Sequence, residues 1–163
     1  MRGFSDEERN EIREGLVEAG RELFVKWGPE KTNVADVTDE VGIAKSTFYR
    51  FFDSKSELYF EVFMRERDDF LDALLTELED VDDAETGLRT FFEVYFSWME
   101  RSPPIQRIVL ENDHEAVYRD VSDERIAEEM EVALETFAPL LEEWQRDGEM
   151  RAVDPHLFFG LMK

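Results

Sequence analysis

The chain has 163 residues, of which 42% are apolar and 13% aromatic, and its 41 acidic and 19 basic side chains give a formal net charge of −22. This apolar content is enough for a packed core and argues against disorder, and no apolar run approaches the ~18 residues that a membrane span needs. Cysteine is absent, which excludes disulfides, thiolate metal sites and cysteine nucleophiles.

The sequence predicts helices throughout, because strand-length alternation of Val, Ile and Thr is missing. Ser5-Asp-Glu-Glu8 and Ser54-Lys-Ser-Glu57 are capping boxes, Thr32-Asn33 is a further cap, and Gly28-Pro29 and Gly42 end helical runs. The predicted helices cover about 6–27, 34–41, 44–51, 55–79, 84–101, 105–119 and 122–148, and an eighth begins at Asp154-Pro155. We therefore expect an all-α fold.

The second and third helices have the spacing of a helix-turn-helix, with a Gly-containing turn between them. The third helix directs Phe48 and Phe51 towards the supporting helices and carries small or hydrogen-bonding side chains on its other face. Among these, Lys45 and Arg50 can donate to guanine edges or to phosphate. The alternative is a packing helix with a solvated polar face.

The charge is unevenly distributed along the chain. Residues 41–55 contain Lys45, Arg50 and Lys55 against Asp53 alone, whereas residues 56–163 carry a net charge of −19. A cationic surface kept within an acidic protein predicts an anionic partner, although chance clustering is an alternative. The general acidity, with 14 Arg but five Lys, is typical of a halophile's cytoplasm, where molar salt screens charge; an acidic binding surface is the alternative.

Residues 12–59 resemble the DNA-binding domain of TetR-type (tetracycline-repressor-like) transcriptional regulators. The resemblance rests on Ala19, Leu23-Phe24 and Gly28, on Thr32-x-Val34-x-x-Val37-x-x-x-Val41-Gly42-Ile43, and on Lys45-Ser-Thr-Phe-Tyr-Arg-Phe-Phe52 followed by Ser54-Lys55-x-x-Leu58. It implies a three-helix head, residues 1–54, that binds DNA, joined by a long helix to a helical body, residues 55–163, that dimerises and binds a small ligand.

The resemblance also implies which residues contact DNA. The residues expected to contact the phosphates or the DNA backbone are Thr32, Asn33, Tyr49 and Lys55. Those expected to read or line the major groove are Lys45, Ser46, Thr47 and Arg50. Ala44 is small enough to let the helix approach DNA, but it stands where the family often has Ser, so a cap is lost.

The helix at 84–101 is aromatic nearly all round, which is typical of a core element and compatible with an apolar pocket. The candidate pocket residues are Phe63, Phe92, Tyr95, Phe96, Met99, Ile108 and Phe137. Because basic residues are few in this region, we expect an apolar or aromatic effector that is uncharged or cationic.

Catalysis is not expected, since the sequence lacks a nucleophile–base pair and any phosphate-binding loop. Glu111-Asn-Asp-His114 has the Glu-x-x-His spacing of di-iron bundles, but the second such motif is missing, so we expect no metal and no cofactor.

These observations predict a cytoplasmic, dimeric, ligand-responsive regulator, most simply a repressor, that binds a palindromic operator in double-stranded DNA and no membrane. The alternative is an acidic helical sensor or protein-interaction module that no longer binds DNA. TetR-type proteins normally dimerise through two C-terminal helices. Since the sequence stops inside the first of them, we expect either that the last helix or helices are missing or that other helices dimerise.

Overall fold

The computed structural model describes residues 4–110 and 113–146, and every regular element among them is an α-helix, which confirms the predicted fold class. None of the described helices combines the length and apolar character needed to cross a bilayer. The helix predicted from Asp154-Pro155 lies outside the described residues. The helices are α1 (Asp6–Trp27), α2 (Val34–Val41), α3 (Lys45–Phe48), α4 (Lys55–Leu78), α5 (Ala84–Arg101), α6 (Pro103–Leu110), α7 (His114–Tyr118) and α8 (Asp123–Arg146).

Local capping chemistry sets the ends of several helices where the sequence predicts them. At the start of α1, the Ser5 hydroxyl accepts from the Glu8 N–H at 3.1 Å, and the Glu8 carboxylate accepts from the Ser5 N–H at 2.7 Å. At the start of α4, the Ser54 hydroxyl accepts from the Glu57 N–H at 3.1 Å. Gly28 ends α1 at a φ of 80°, a backbone conformation that favours glycine.

The single helix predicted at 105–119 is wrong, because the structure has α6 and α7 there. The first of them begins at Pro103, since proline is tolerated in a first helical turn, where its missing N–H costs no hydrogen bond. Arg107 Nε lies 3.6 Å from a carboxylate oxygen of Asp113. Residues six apart lie on different faces of a continuous helix, so a single helix over 105–119 would not form this ion pair.

The first of two compact units contains the residues up to Asp68 together with Met99–Val121. Its core joins one face of α1 to α2, to the aromatic residues of and just after α3, and to the start of α4. The buried members are Leu16, Val17, Ala19, Leu23, Val34, Val37, Phe48, Phe52, Leu58 and Val62.

The second unit contains Asp69–Trp98 and the described residues from Ser122 onwards. Phe70 of α4 contacts the rings of Phe91 and Tyr95 and stacks on Trp98 with ring centroids 4.8 Å apart. The buried members of this core are Phe70, Leu71, Leu74, Leu78, Ala84, Phe91, Phe137, Leu141 and Trp144. The two units are defined by packing alone. The predicted division into a DNA-binding domain, residues 1–54, and a regulatory body, residues 55–163, stays a prediction.

Polar contacts of Arg107 and Arg21 connect α6, and Ser102 just before it, to the other helices of the first unit. Arg107 donates to the C=O of Val25 at 3.2 Å, and a Cβ built on Gly28 would lie 2.6 Å from Arg107 Nη2. The carboxylate of Glu66, in α4, accepts from Arg21 Nε at 2.6 Å and from the Ser102 hydroxyl at 2.5 Å. The C-terminal part of α1 is thus linked to α4 and α6 by polar contacts.

Tyr59 gives this unit a predicted dependence of stability on alkaline pH. Its side chain is 1% exposed, and burial raises the pKa of its phenol from 10.0 to about 12. Folding favours the neutral phenol, and this preference contributes to the free energy of unfolding. The contribution is complete below pH 10 and is lost as pH rises to 12. Two pKa units correspond to about 2–3 kcal/mol of unfolding free energy.

Urea unfolding at pH 9 to 12 tests this expectation on the wild type and on Tyr59→Phe. The variant should lose less stability over this range. Tyr49→Phe, which removes a hydroxyl from a side chain that is 49% exposed, should follow the wild type. Equal alkaline loss in the wild type and Tyr59→Phe would contradict the expectation.

Candidate nucleic-acid interface

The second and third helices form the predicted helix-turn-helix. Asn33 caps α2, since its side-chain oxygen accepts from the N–H groups of Ala35 and Asp36 at 2.9 and 3.2 Å. At the other end, Gly42 adopts the left-handed conformation at a φ of 74°, which allows the chain to turn sharply into α3. The Ile43 N–H donates to the C=O of Thr38 at 3.0 Å and closes the turn.

The recognition helix α3 is shorter than the predicted 44–51. Its regular part ends at Phe48, and the N–H groups of Arg50 and Phe51 donate to carbonyls three residues earlier, at 3.0 and 2.9 Å. Such bonds tighten the chain into turns rather than continuing the α-helix. Ala44 precedes the helix without a side-chain cap, as the missing Ser predicts. The element is therefore held by Phe48 and Phe52, which are 0% and 2% exposed.

The face opposite these phenylalanines carries the predicted DNA contacts. Ala44, Lys45, Ser46, Tyr49 and Arg50 are exposed, and Thr47 is half-buried.

Lys45 and Arg50 are cations without an anionic partner in the described part of the chain. Many of the arginines that the structure describes pair with carboxylates, as Arg13 does with Glu61 at 2.9 Å and Arg119 with Glu30 at 3.1 Å. In a chain of net charge −22, unpaired cations on one exposed face retain the positive charge that an anionic partner would meet.

Thr32 is placed differently from the prediction. Its side chain is 1% exposed, and its hydroxyl donates to the C=O of Gly28 at 2.9 Å. The hydroxyl is therefore buried and already bonded between α1 and α2, so it has no donor left for a phosphate, and the DNA contact of this residue stays a prediction. Asn33 is exposed at the start of α2, and its side-chain oxygen is used by the cap.

Lys55 also has a role within the protein that the sequence did not predict. Its ammonium donates to the carbonyls of Pro29 and Thr32, at 2.5 and 2.6 Å, and so ties the loop after α1 to the start of α4. These carbonyls explain why a cation lies in the first turn of a helix, so its position is not in itself a sign of DNA. One of its three N–H donors remains for a phosphate.

The sequence reasoning missed Phe4, whose ring centroid lies 4.8 Å from the Arg50 guanidinium carbon. One signal could have found it. An apolar residue just before an N-cap usually packs on the fourth helical residue, and here that position is the polar Arg9. Phe4 therefore lacks the usual apolar partner and needs another.

The predicted pocket residues fall in both units. Phe63, Met99 and Ile108 lie in the first unit, and Ile108 is 2% exposed. In the second, Phe137 is buried, whereas Phe92 and Phe96 are 46% and 57% exposed and stack on each other with centroids 6.2 Å apart. Tyr95 is half-buried, touches Phe96 and packs against the core that contains Phe137. The pocket itself stays a prediction. Glu111 and the His114 side chain lie outside the described residues.

Comparison with known proteins confirms the predicted resemblance. Residues 16–62 match the family model described as "Bacterial regulatory proteins, tetR family". The chain is 30% identical over 127 residues to the HTH-type transcriptional activator FasR of Mycolicibacterium smegmatis, a match that covers 78% of this chain and 55% of FasR. The chain thus spans about half the length of this curated relative. These matches do not favour the alternative of a module that has lost DNA binding.

Two solved structures show the same fold over most of the chain. A TetR-family transcriptional regulator from Pectobacterium atrosepticum is 25% identical with a TM-score of 0.73, and the match covers 97% of this chain and 79% of that one. The regulator FadR from Bacillus subtilis in complex with stearoyl-CoA is 18% identical with a TM-score of 0.68, and the match covers 90% of this chain and 81% of FadR. At 18% identity the likeness concerns the fold alone.

Proposed function

We propose that this chain, residues 16–62 of which are a tetR-family domain, is a cytoplasmic transcriptional regulator that binds a palindromic DNA operator as a homodimer. The observation that carries the proposal is the exposed, unpaired Lys45 and Arg50 on a recognition helix in a strongly acidic protein. DNA binding belongs to residues 1–54, and dimerisation and effector binding belong to residues 55–163.

Within this proposal, α3 enters the major groove. Lys45 and Arg50 donate to guanine O6 and N7 or to phosphate, and Ser46 and Thr47 are small enough to let the helix approach the bases. Tyr49, Asn33 and the remaining donor of Lys55 contact the DNA backbone. In a dimer, two such helices reach successive major grooves about 34–36 Å apart, which matches a palindromic site.

The effector is a small molecule with an apolar or aromatic body. The aromatic side chains of α5 support this part of the proposal, and FadR of Bacillus subtilis, which shares the fold, is described in complex with stearoyl-CoA. To release the operator, the effector must bind the conformer that does not bind DNA more tightly than the one that does. We propose that operator binding represses transcription. Expression of a reporter gene placed behind the operator would distinguish repression from activation.

Single substitutions on α3 test the DNA-binding proposal. Lys45→Ala and Arg50→Ala should each lower operator affinity about 5- to 10-fold, because a base or phosphate contact contributes about 1–1.4 kcal/mol. The operator is first obtained by incubating the protein with fragmented DNA of the source organism in molar KCl and sequencing the enriched fragments. Affinities of both variants are then measured on that site by fluorescence anisotropy.

The matched control is Arg89→Ala, which also removes one positive charge. Arg89 lies in α5, is 66% exposed and pairs with Glu85. This variant should bind the operator like the wild type. If the wild type enriches no palindromic site, or if Arg89→Ala weakens binding as much as the α3 variants do, specific contact through α3 is contradicted.

A further inference from the structure

Arg50 is held by an aromatic ring instead of a carboxylate. Its guanidinium carbon lies 4.8 Å from the centroid of Phe4, within the range of a cation–π interaction. The side chain of Arg50 is exposed, and no described carboxylate lies within ion-pair distance of it. The contact joins the segment before α1 to the residue two positions after α3.

The position of Phe4 is set by the capping box of α1. The two hydrogen bonds between Ser5 and Glu8 fix the backbone at Ser5, and Phe4 precedes it directly. Its ring has no apolar partner at Arg9, the fourth helical residue, since the Arg9 guanidinium lies over the ring of Phe51 instead, 5.6 Å from its centroid. Phe4 is half-buried against Arg50.

An aromatic partner orients a guanidinium without neutralising it. A carboxylate would occupy the N–H edge of the group and cancel its charge, as Glu14 does for Arg65 at 2.5 Å. A ring covers only the face of the guanidinium, so the five N–H donors at its edge and its full charge remain available. This is the arrangement that a base- or phosphate-contacting arginine needs.

We propose that Phe4 is a positioning residue for operator binding, which holds the Arg50 guanidinium over its ring in the orientation that meets DNA. This inference rests on the proposed function. It adds a residue outside the helix-turn-helix to the determinants of affinity, and it acts only through Arg50.

The test is a double-mutant cycle on operator affinity, with thermal unfolding as the check on folding. Phe4→Ala and Phe4→Leu should each weaken binding about two- to fivefold without a matching loss of stability. Phe4→Trp, which keeps a π face, should bind at least as well as the wild type. In the Arg50→Ala background, Phe4→Ala should have no further effect.

Two results would overturn the inference alone, with the wild type still binding its operator. One is that Phe4→Leu binds the operator with wild-type affinity, because apolar packing without a π face would then be enough to position Arg50. The other is an undiminished effect of Phe4→Ala in the Arg50→Ala background, because Phe4 would then act independently of Arg50. Failure of the wild type to bind any operator contradicts the proposed function, and this inference with it.

Discussion

Phe48→Ala should lower the free energy of unfolding of the first unit by about 3–5 kcal/mol and abolish operator binding. Phe48 is 0% exposed and packs on Phe52 with ring centroids 5.7 Å apart. The helix that it anchors has four residues and no side-chain cap, which is too short to form without tertiary contacts. Loss of the ring therefore removes both core packing and the support of the recognition helix.

Urea unfolding followed by circular dichroism in molar KCl measures the stability effect, and fluorescence anisotropy measures binding. Tyr49→Ala is the matched control for the stability measurement, because this neighbouring aromatic residue is 49% exposed and only touches the edge of Phe48. It should cost less than about 1 kcal/mol of stability. A Phe48→Ala variant as stable as Tyr49→Ala would show that α3 is not anchored through this ring.

Glu66→Ala should destabilise the protein by about 2–3 kcal/mol. Removal of one partner of a buried ion pair costs about 3–5 kcal/mol, and the figure is reduced here because the Arg21 side chain is 39% exposed. The substitution leaves the hydroxyl of Ser102, which is 4% exposed, without its acceptor at 2.5 Å. It also removes the polar link that joins α1 and α4 to the residue before α6.

Glu14→Ala provides the comparison, since Glu14 forms a similarly short ion pair with Arg65, at 2.5 Å against 2.6 Å for Arg21 and Glu66, but is 61% exposed. An exposed pair contributes at most about 1 kcal/mol, so this variant should be nearly as stable as the wild type. Chemical denaturation of the two variants side by side gives the difference. Equal stability of Glu66→Ala and Glu14→Ala would mean that burial adds nothing to the Glu66 contacts.

The features that the sequence predicted well depend on residues close together in the chain. The capping box of Ser5 and Glu8 and the glycine at 28 lie within a few residues of the helix ends that they determine, and α1 begins and ends where they predict. The helix-turn-helix can be predicted from the sequence because it too is local. Its two helices and the turn at Gly42 are adjacent in the chain, so periodicity and turn chemistry suffice.

The features that the sequence reasoning missed or predicted wrongly depend on distant partners. Lys55 reaches carbonyls 26 and 23 residues away, and the ion pair of Arg107 with Asp113 accompanies a break in the predicted sixth helix. Thr32 is buried, and its hydroxyl donates to the C=O of Gly28 at the end of α1. A sequence pattern shows which groups can bond, but only packing decides which of them meet. The pocket prediction has the same weakness, since exposure alternates along α5 in a way that its continuous aromatic pattern conceals.

The contact between Gly28 and Arg107 has a consequence for how the sequence can drift during evolution. A side chain at position 28 would have to adopt a positive φ and would also displace the Arg107 guanidinium, whose Nη2 lies 2.6 Å from the place of its Cβ. The two positions, 79 residues apart, are therefore not independent. Among natural relatives, we expect chains with another residue at 28 to carry a shorter side chain at 107, and an arginine at 107 to be accompanied by glycine at 28.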